Sequence, residues 1–359
     1  MNGLVNVIRY FDPLKYQAAV ATLSPEPANS LIEDLQVIGV CVMQMKLSRV
    51  ESLLSGTRSL RRLVLKVKPD LVHTHGLRAD ILAARAGLEC PIVSTVHSDL
   101  REDYRFAYGR CVGPLLAKRE YAAMRRFDGV IAVSEPLADE VSRSGLTARG
   151  ILNGVNRDEF YPASDLKSIR DLRANLGWPL DAVVVLHTGV LRNLKNPVEV
   201  VTGFIASKLS KSAFLVFAGD GPQKTACEKA AGSASNIVFL GQRRDVPDLL
   251  RATDILISAS SSEGLANATL EGCASGIRVL ATNIPAHRYV HDMFPEQMQI
   301  FDKGKSDSVR IALDSLESEC WQQKFLPSSS ALERISTRRM SREYQDFYSE
   351  ILRTRYGAN

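Results

Sequence analysis

Short runs of apolar and β-branched residues recur along the chain, separated by stretches whose apolar positions follow a helical period. In the first half the runs fall at 18–23, 41–45, 71–75, 92–97 and 130–134. In the second half they fall at 183–188, 214–218, 237–240, 255–258, 279–281 and 299–301. A strand covered on both faces is apolar throughout instead of alternating, so these runs predict buried parallel strands. Segments such as 138–143 and 197–209 supply the helices between them. The alternation predicts parallel sheets with helices on both faces. It occurs twice, and the polar stretch 153–171, with Gly154 and Pro162, reads as a linker. The expected fold class is α/β, two Rossmann-like doubly wound domains facing a cleft, with domains at 1–160 and 161–335 and a C-terminal helix, 336–359, packing back toward the first. Ligands bind such sheets at the carboxyl ends of the strands.

Composition narrows the class without changing that picture. The 359 residues are 45% hydrophobic and 24% charged, which excludes a disordered chain and a collagen-like fibre. No apolar run approaches the ~18–20 residues of a spanning helix. The start, MNGLVNVIRYFDP, has no basic segment followed by a long apolar one, so no secretory signal is expected. Cys41, Cys90, Cys111, Cys227, Cys273 and Cys320 are scattered without CxxC or metal-ligand spacing, which reads as reduced thiols in a cytoplasmic protein. Neither GxGxxG nor a Walker phosphate loop occurs.

The stretch with the most chemistry is SASSSEGLANATLEGCASGIRVLATNIP, 258–285. A strand runs into a small polar loop, then Glu263 and Gly264, then a helix beginning near Ala266. Gly264 permits a sharp turn close to a ligand. The backbone N–H groups around Leu265, Ala266 and Asn267 form a helix N-terminus, an anion site. Glu263 lies at its rim and Glu271 about one turn deeper. That suits a ligand with a phosphate at the helix end and hydroxyls on either side; Glu and Asn acting only as helix caps is the alternative.

EGL with a second glutamate eight positions after the first, then ASG and VLAT, resembles the donor-site motif of family 4 retaining glycosyltransferases, GT-B enzymes that use nucleotide sugars. The resemblance covers nearly the whole chain through DLVHTHGLRAD (70–80), PIVSTVH (91–97), AVSEPLADEV (132–141), NGVNRDEF (153–160), HTGVLRNLKN (187–196), FAGDGPQK (217–224) and FLGQRRDVPDLLRATDILIS (239–258), in the family's order. It implies that Arg192 and Lys195 grip the donor diphosphate, that Glu271 accepts hydrogen bonds from the ribose, and that Glu263 binds sugar hydroxyls or steadies positive charge at the anomeric carbon. It places Arg243 by the base and His97 at the N-domain active site, opposite the donor sugar. His73 is expected to point into the sheet packing and His75 to lie nearer the cleft. With no Asp-x-Asp and no third ligand for the HxH pair, no metal is implied, and cations with a helix N-terminus are what a leaving diphosphate requires.

The implied activity is transfer of a sugar, with retention, from a UDP- or GDP-linked donor to a glycan or lipid-linked hydroxyl in surface polysaccharide or lipopolysaccharide synthesis. The alternatives are a nucleotide-sugar 2-epimerase of the same fold and a non-catalytic donor-binding protein. Two departures from the family stand out. Val190 occupies a position where an arginine is usual, and MNGLVNVIRYFDPLKY resembles the end of the family's first helix, with no counterpart to its first strand and glycine-rich loop.

Charge adds a partner. Lys46 to Arg126 holds sixteen Lys and Arg against eight Asp and Glu. An amphipathic helix over 48–67 would carry Arg58, Arg62 and Lys66 as a stripe beside an apolar side of Val50, Leu53, Leu54, Leu60, Val64 and Val67. A second basic group runs from Arg101 to Arg126. The readings are solvated helix faces or docking on an anionic membrane at the inner leaflet. No recognition motif for nucleic acid accompanies the charge.

Overall fold

The computed structural model describes residues 2–26, 30–304, 307–316 and 324–357; Cys320 lies outside them. The chain divides into two compact units, residues 1–154 with 335–359, and residues 155–334. Every strand pair in both is parallel.

The first unit holds β1 (Ala19–Thr22), β2 (Cys41–Gln44), β3 (Val72–His75), β4 (Ile92–Val96), β5 (Gly129–Ala132) and β6 (Arg149–Gly150). They form two sheets, β1-β2 and β3-β4-β5-β6, so β1 and β3 each keep one edge without a strand partner among the described residues. The helix Thr337–Tyr356 belongs to this unit, where Met340, Tyr344, Phe347 and Tyr348 pack with Val7, Val93, Ile131 and Ile151.

The expected helix over 48–67 is two helices, Arg49–Leu54 and Gly56–Val67, meeting at Ser55. Ser48 caps the first through a reciprocal box with Glu51, which starts that helix independently of the second. The break separates the two apolar groups: Leu60 is buried, whereas Val50, Leu53 and Leu54 stand in solvent.

The helix Leu100–Met124 is two arms folded about Gly109, whose φ of +82° suits glycine. The arms approach so closely that a Cβ at Gly113 would sit 2.4 Å from the Tyr104 carbonyl oxygen. A buried acidic group fastens this element to the sheet. Tyr104 donates to Glu120, and Asp80 Oδ1 accepts from Thr74 at 2.5 Å and Ser94 at 2.9 Å. Burial, and then the neighbouring Asp80, push the Glu120 carboxyl up to about 9. The pair therefore retains a proton at neutral pH.

The second unit has one continuous sheet in the order β12-β11-β10-β7-β8-β9, with β7 Val183–Thr188, β8 Ala213–Ala218, β9 Ile237–Phe239, β10 Ile255–Ser258, β11 Arg278–Thr282 and β12 Met298–Phe301. β7 to β12 all fall on apolar runs of the sequence, and a single core cluster joins Val185, Phe204, Leu215, Phe217, Ile257, Leu280 and Leu313. The polar stretch read as a linker ends sooner than expected. Asp165 caps a helix at Leu166–Leu176 by accepting from Ser168 N at 2.7 Å. From that helix Arg173, fully buried, reaches Asp254 at 2.6 Å and donates to the carbonyls of Ala252, Leu180 and Ala182. Asp254 in turn accepts from the Val184 N–H at 2.8 Å, which locks β7 to the start of β10.

Candidate active site

In the second unit the strand order reverses at β7, which has β8 on one side and β10 on the other. Loops leaving the carboxyl ends of adjacent strands diverge at such a point and open a crevice. Here the two loops are also bound to each other. Ser261 N donates to Leu194 O at 2.8 Å, and Asn196 Nδ2 donates to Ala259 O at 2.9 Å and Ser261 Oγ at 2.8 Å. Asn196 adopts φ +47°, which asparagine tolerates better than most side chains. The first loop is also pressed against the end of β8, since a Cβ at Gly219 would lie 1.9 Å from Gly189 O. FAGDG needs its first glycine for that contact.

These ties bring Lys195 and Glu263, 68 residues apart in the chain, into an ion pair with side chains only 20% and 10% exposed. Arg192 is half-buried at the head of the short 3-10 turn Asn193–Lys195. Val190, between them and β7, is exposed. Beyond Glu263, Gly264, Leu265 and Ala266 are buried and lead into the helix Asn267–Ala274, whose N-terminus has no side-chain cap; Asn267 itself is exposed. The positive end of a helix dipole, with the Lys195–Glu263 pair in the loops before it, favours an anion.

Glu271 lies in the second turn of that helix. Burial first, and then the charge of Glu159, push its carboxyl up to about 7. Among the described residues no protein donor reaches it, so its acceptor capacity is open to a ligand. Arg243 is engaged elsewhere: its Nε donates to Asp245 Oδ1 at 2.7 Å and its second nitrogen to Oδ2, a two-pronged pair within its own loop. A base-binding role would have to work around that pair.

Two histidines that the sequence did not single out adjoin this group. His187, at the end of β7, is buried with Nδ1 3.1 Å from Ile257 O. Burial, and then the Lys195 charge, hold it down to about 4. His287 is buried with Nδ1 2.8 Å from Thr282 O, and burial likewise holds it at about 4. Both are neutral at pH 7 and add no positive charge beside Lys195. A lone histidine at the end of an apolar run, as His187 is, or within a short helix, as His287 is, gives no sequence signal for this placement.

In the first unit, β3 and β4 pair with His75 opposite Thr95, so His97 follows one step beyond the sheet. His73 is packed as expected, with Nδ1 2.6 Å from Tyr348 Oη and Nε2 2.8 Å from Thr95 Oγ1. His75 stacks on His73 at 4.5 Å between ring centres and on His97 at 5.2 Å, and its Nδ1 lies 2.9 Å from His97 Nε2. His97 is the exposed end of the stack. Among the described residues no His, Cys, Asp and Glu side chains gather into a metal-holding group.

Two family models match in succession: Glycosyltransferase Family 4 over residues 2–159 and Glycosyl transferases group 1 over residues 182–315. The chain is 28% identical over 249 residues to the Escherichia coli UDP-Gal:alpha-D-GlcNAc-diphosphoundecaprenol alpha-1,3-galactosyltransferase, a match covering 63% of this chain and 61% of that one. It is 26% identical to the alpha-monoglucosyldiacylglycerol synthase of Streptococcus pneumoniae, over 79% of this chain and 67% of that one. The first of these matches thus spans less than two thirds of the relative's length. Among solved structures, the Anabaena protein HepE, crystallised with UDP and glucose, superposes with a TM-score of 0.78 at 18% identity, covering 97% of this chain and 95% of that one. That likeness establishes the GT-B fold. With both family models matched in order, one on each unit, the chain belongs to the family 4 glycosyltransferases.

Proposed function

We propose that the protein is a retaining, metal-independent glycosyltransferase that takes a sugar from a UDP- or GDP-linked donor and places it on a hydroxyl of a lipid-linked glycan or glycolipid. The observation that carries this reading is the crevice beside β7, where Lys195 pairs with Glu263 just before the helix that holds Glu271, with Arg192 on the same loop as Lys195. In the reaction, the bond from the anomeric carbon to the diphosphate breaks. The acceptor oxygen bonds to that carbon on the same face, and its proton leaves with the diphosphate. Negative charge thus grows on the diphosphate, where the cations and helix dipole stabilise it. Lys195, paired with Glu263, exchanges that partner for phosphate oxygens as the donor binds. Glu263 is then released to accept from sugar hydroxyls, and Glu271 accepts from the ribose. His97 supplies a hydrogen bond to a sugar hydroxyl.

A lipid-linked acceptor is supported by the relatives, whose names specify a diphosphoundecaprenol carrier and a diacylglycerol product. It is supported as well by the turn at Gly109, where Phe106, Tyr108, Val112 and Leu115 are 43%, 49%, 50% and 53% exposed. Arg105, Arg110, Lys118 and Arg119 surround them, all exposed. Apolar side chains that enter the headgroup layer with arginine beside them suit an anionic bilayer. Calorimetry with UDP, GDP and their sugars tests the donor, and the reading fails if none of them binds. EDTA should leave transfer intact. Sedimentation with phosphatidylglycerol vesicles tests the surface, which should be lost in a Phe106→Ser, Tyr108→Ser double variant; equal sedimentation of both proteins rejects docking at this turn.

A further inference from the structure

From the histidine stack we infer that His75 is a positioning residue for His97, donating its Nδ1 hydrogen to His97 Nε2 and so fixing His97 as the tautomer with hydrogen on Nδ1. Across the 2.9 Å contact, one nitrogen must donate and the other accept. The remaining nitrogen of His75, Nε2, is buried and has no partner among the described residues. Were His97 the donor, His75 would have to carry its hydrogen on that Nε2, an N–H enclosed without an acceptor. Unpaired buried N–H groups are rarer in folded proteins than unpaired acceptors, because the lost hydration is not replaced. With His75 as the donor, Nε2 is a bare lone pair and no N–H is orphaned. Burial, with His73 and His97 as neighbours, holds His75 well below the usual histidine range, so the doubly protonated ring is not an alternative.

The packing makes the donor direction stable. His73 is gripped at both nitrogens by Tyr348 and Thr95, and its ring forms the floor on which His75 lies. The exposed nitrogen of His97 is then an N–H that points a hydrogen at its ligand and cannot accept a proton there. This deepens, and rests on, the proposal that His97 meets a sugar hydroxyl: it makes His97 a hydrogen-bond donor and not a base. A neutral histidine left to itself prefers hydrogen on Nε2, so the arrangement runs against intrinsic preference and depends on the second ring.

The test is the ring 15N spectrum of histidine-labelled protein, with the His97 signals assigned by comparison with His97→Ala. In the unaltered chain His97 should show its hydrogen on Nδ1. In His75→Phe, which keeps a flat ring in the stack but removes the donor, the hydrogen should move to Nε2. A His97 Nε2–H in the unaltered chain overturns the inference, as does an unchanged tautomer in folded His75→Phe. Transfer assays separate this from the functional reading. If His97→Ala transfers at the full rate while the tautomer is as inferred, the reading of His97 fails and the positioning stands. If His97→Ala is slow and the tautomer is Nε2–H, the reverse holds. His75→Phe should lower kcat about tenfold and leave UDP affinity unchanged.

Discussion

The two units share one design and differ in how far it is closed. In residues 155–334 six strands form an unbroken sheet, and one core cluster runs from Val185 through Phe217 to Leu313. In the first unit the strands form two sheets, and the apolar side chains form separate clusters, one around Leu35 and Val40, another around Leu60 and Leu82, a third against the C-terminal helix. The closed unit carries the crevice proposed to bind the diphosphate; the divided one carries the histidine stack and the exposed turn at Gly109. A polyphosphate held by several fixed donors needs a rigid frame, since misplaced donors lose most of their value. A surface that meets a lipid or a variable glycan can be built on looser ground.

The largest test of this contrast is Arg173→Ala. It leaves Asp254 buried without its partner and should cost about 3–5 kcal/mol, read as a lower urea midpoint for the second unit. A loss under ~1 kcal/mol would mean that the pair does not brace the sheet. Next, amide exchange should find β1 and β2 opening at lower free energy than β7, β8 and β10; equal protection would erase the distinction between the units. Third, Lys195→Ala should weaken UDP by roughly ten- to a hundredfold while uridine binding is little changed. Equal losses for both ligands would move Lys195 away from the diphosphate.

The smallest effect concerns Glu271. Its carboxyl titrates at about 7 and must be ionised to accept from both ribose hydroxyls. Affinity should therefore rise with pH, by about tenfold between pH 6 and 8, because the protonated form prevails below 7. Glu271→Gln should bind more weakly at pH 8 and show a flat profile. A pH-independent Kd for the unaltered chain would detach Glu271 from the ribose.

Much of the closed unit was legible because β7, β8 and β10 are apolar on both faces and leave continuous runs in the sequence. β6, two residues long, leaves no such run. The break at Ser55 was hidden because the apolar period of 48–67 continues across it, while the stop is set by Ser55, whose N–H and hydroxyl both turn back to the Glu51 carbonyl. In the candidate site, residue types and loop positions could be read, but not partners. Lys195 with Glu263, and His75 with His97, are joined by strand order, which a one-dimensional pattern does not express. Asn196 escaped notice for the same reason: its work is to tie two loops, and nothing in NLKNP announces a contact with Ala259 and Ser261.

The return of the helix Thr337–Tyr356 to the first unit sets a schedule for synthesis. A ribosome delivers β1 to β6 first, yet the cluster around Val93 and Ile131 lacks Met340, Tyr344, Phe347 and Tyr348 until the final stretch has been made. The whole of the second unit emerges in the interval. Domains as a rule complete in the order of their emergence. Here the unit begun first is finished last, and its apolar surface has to be shielded while residues 155–334 fold beside it.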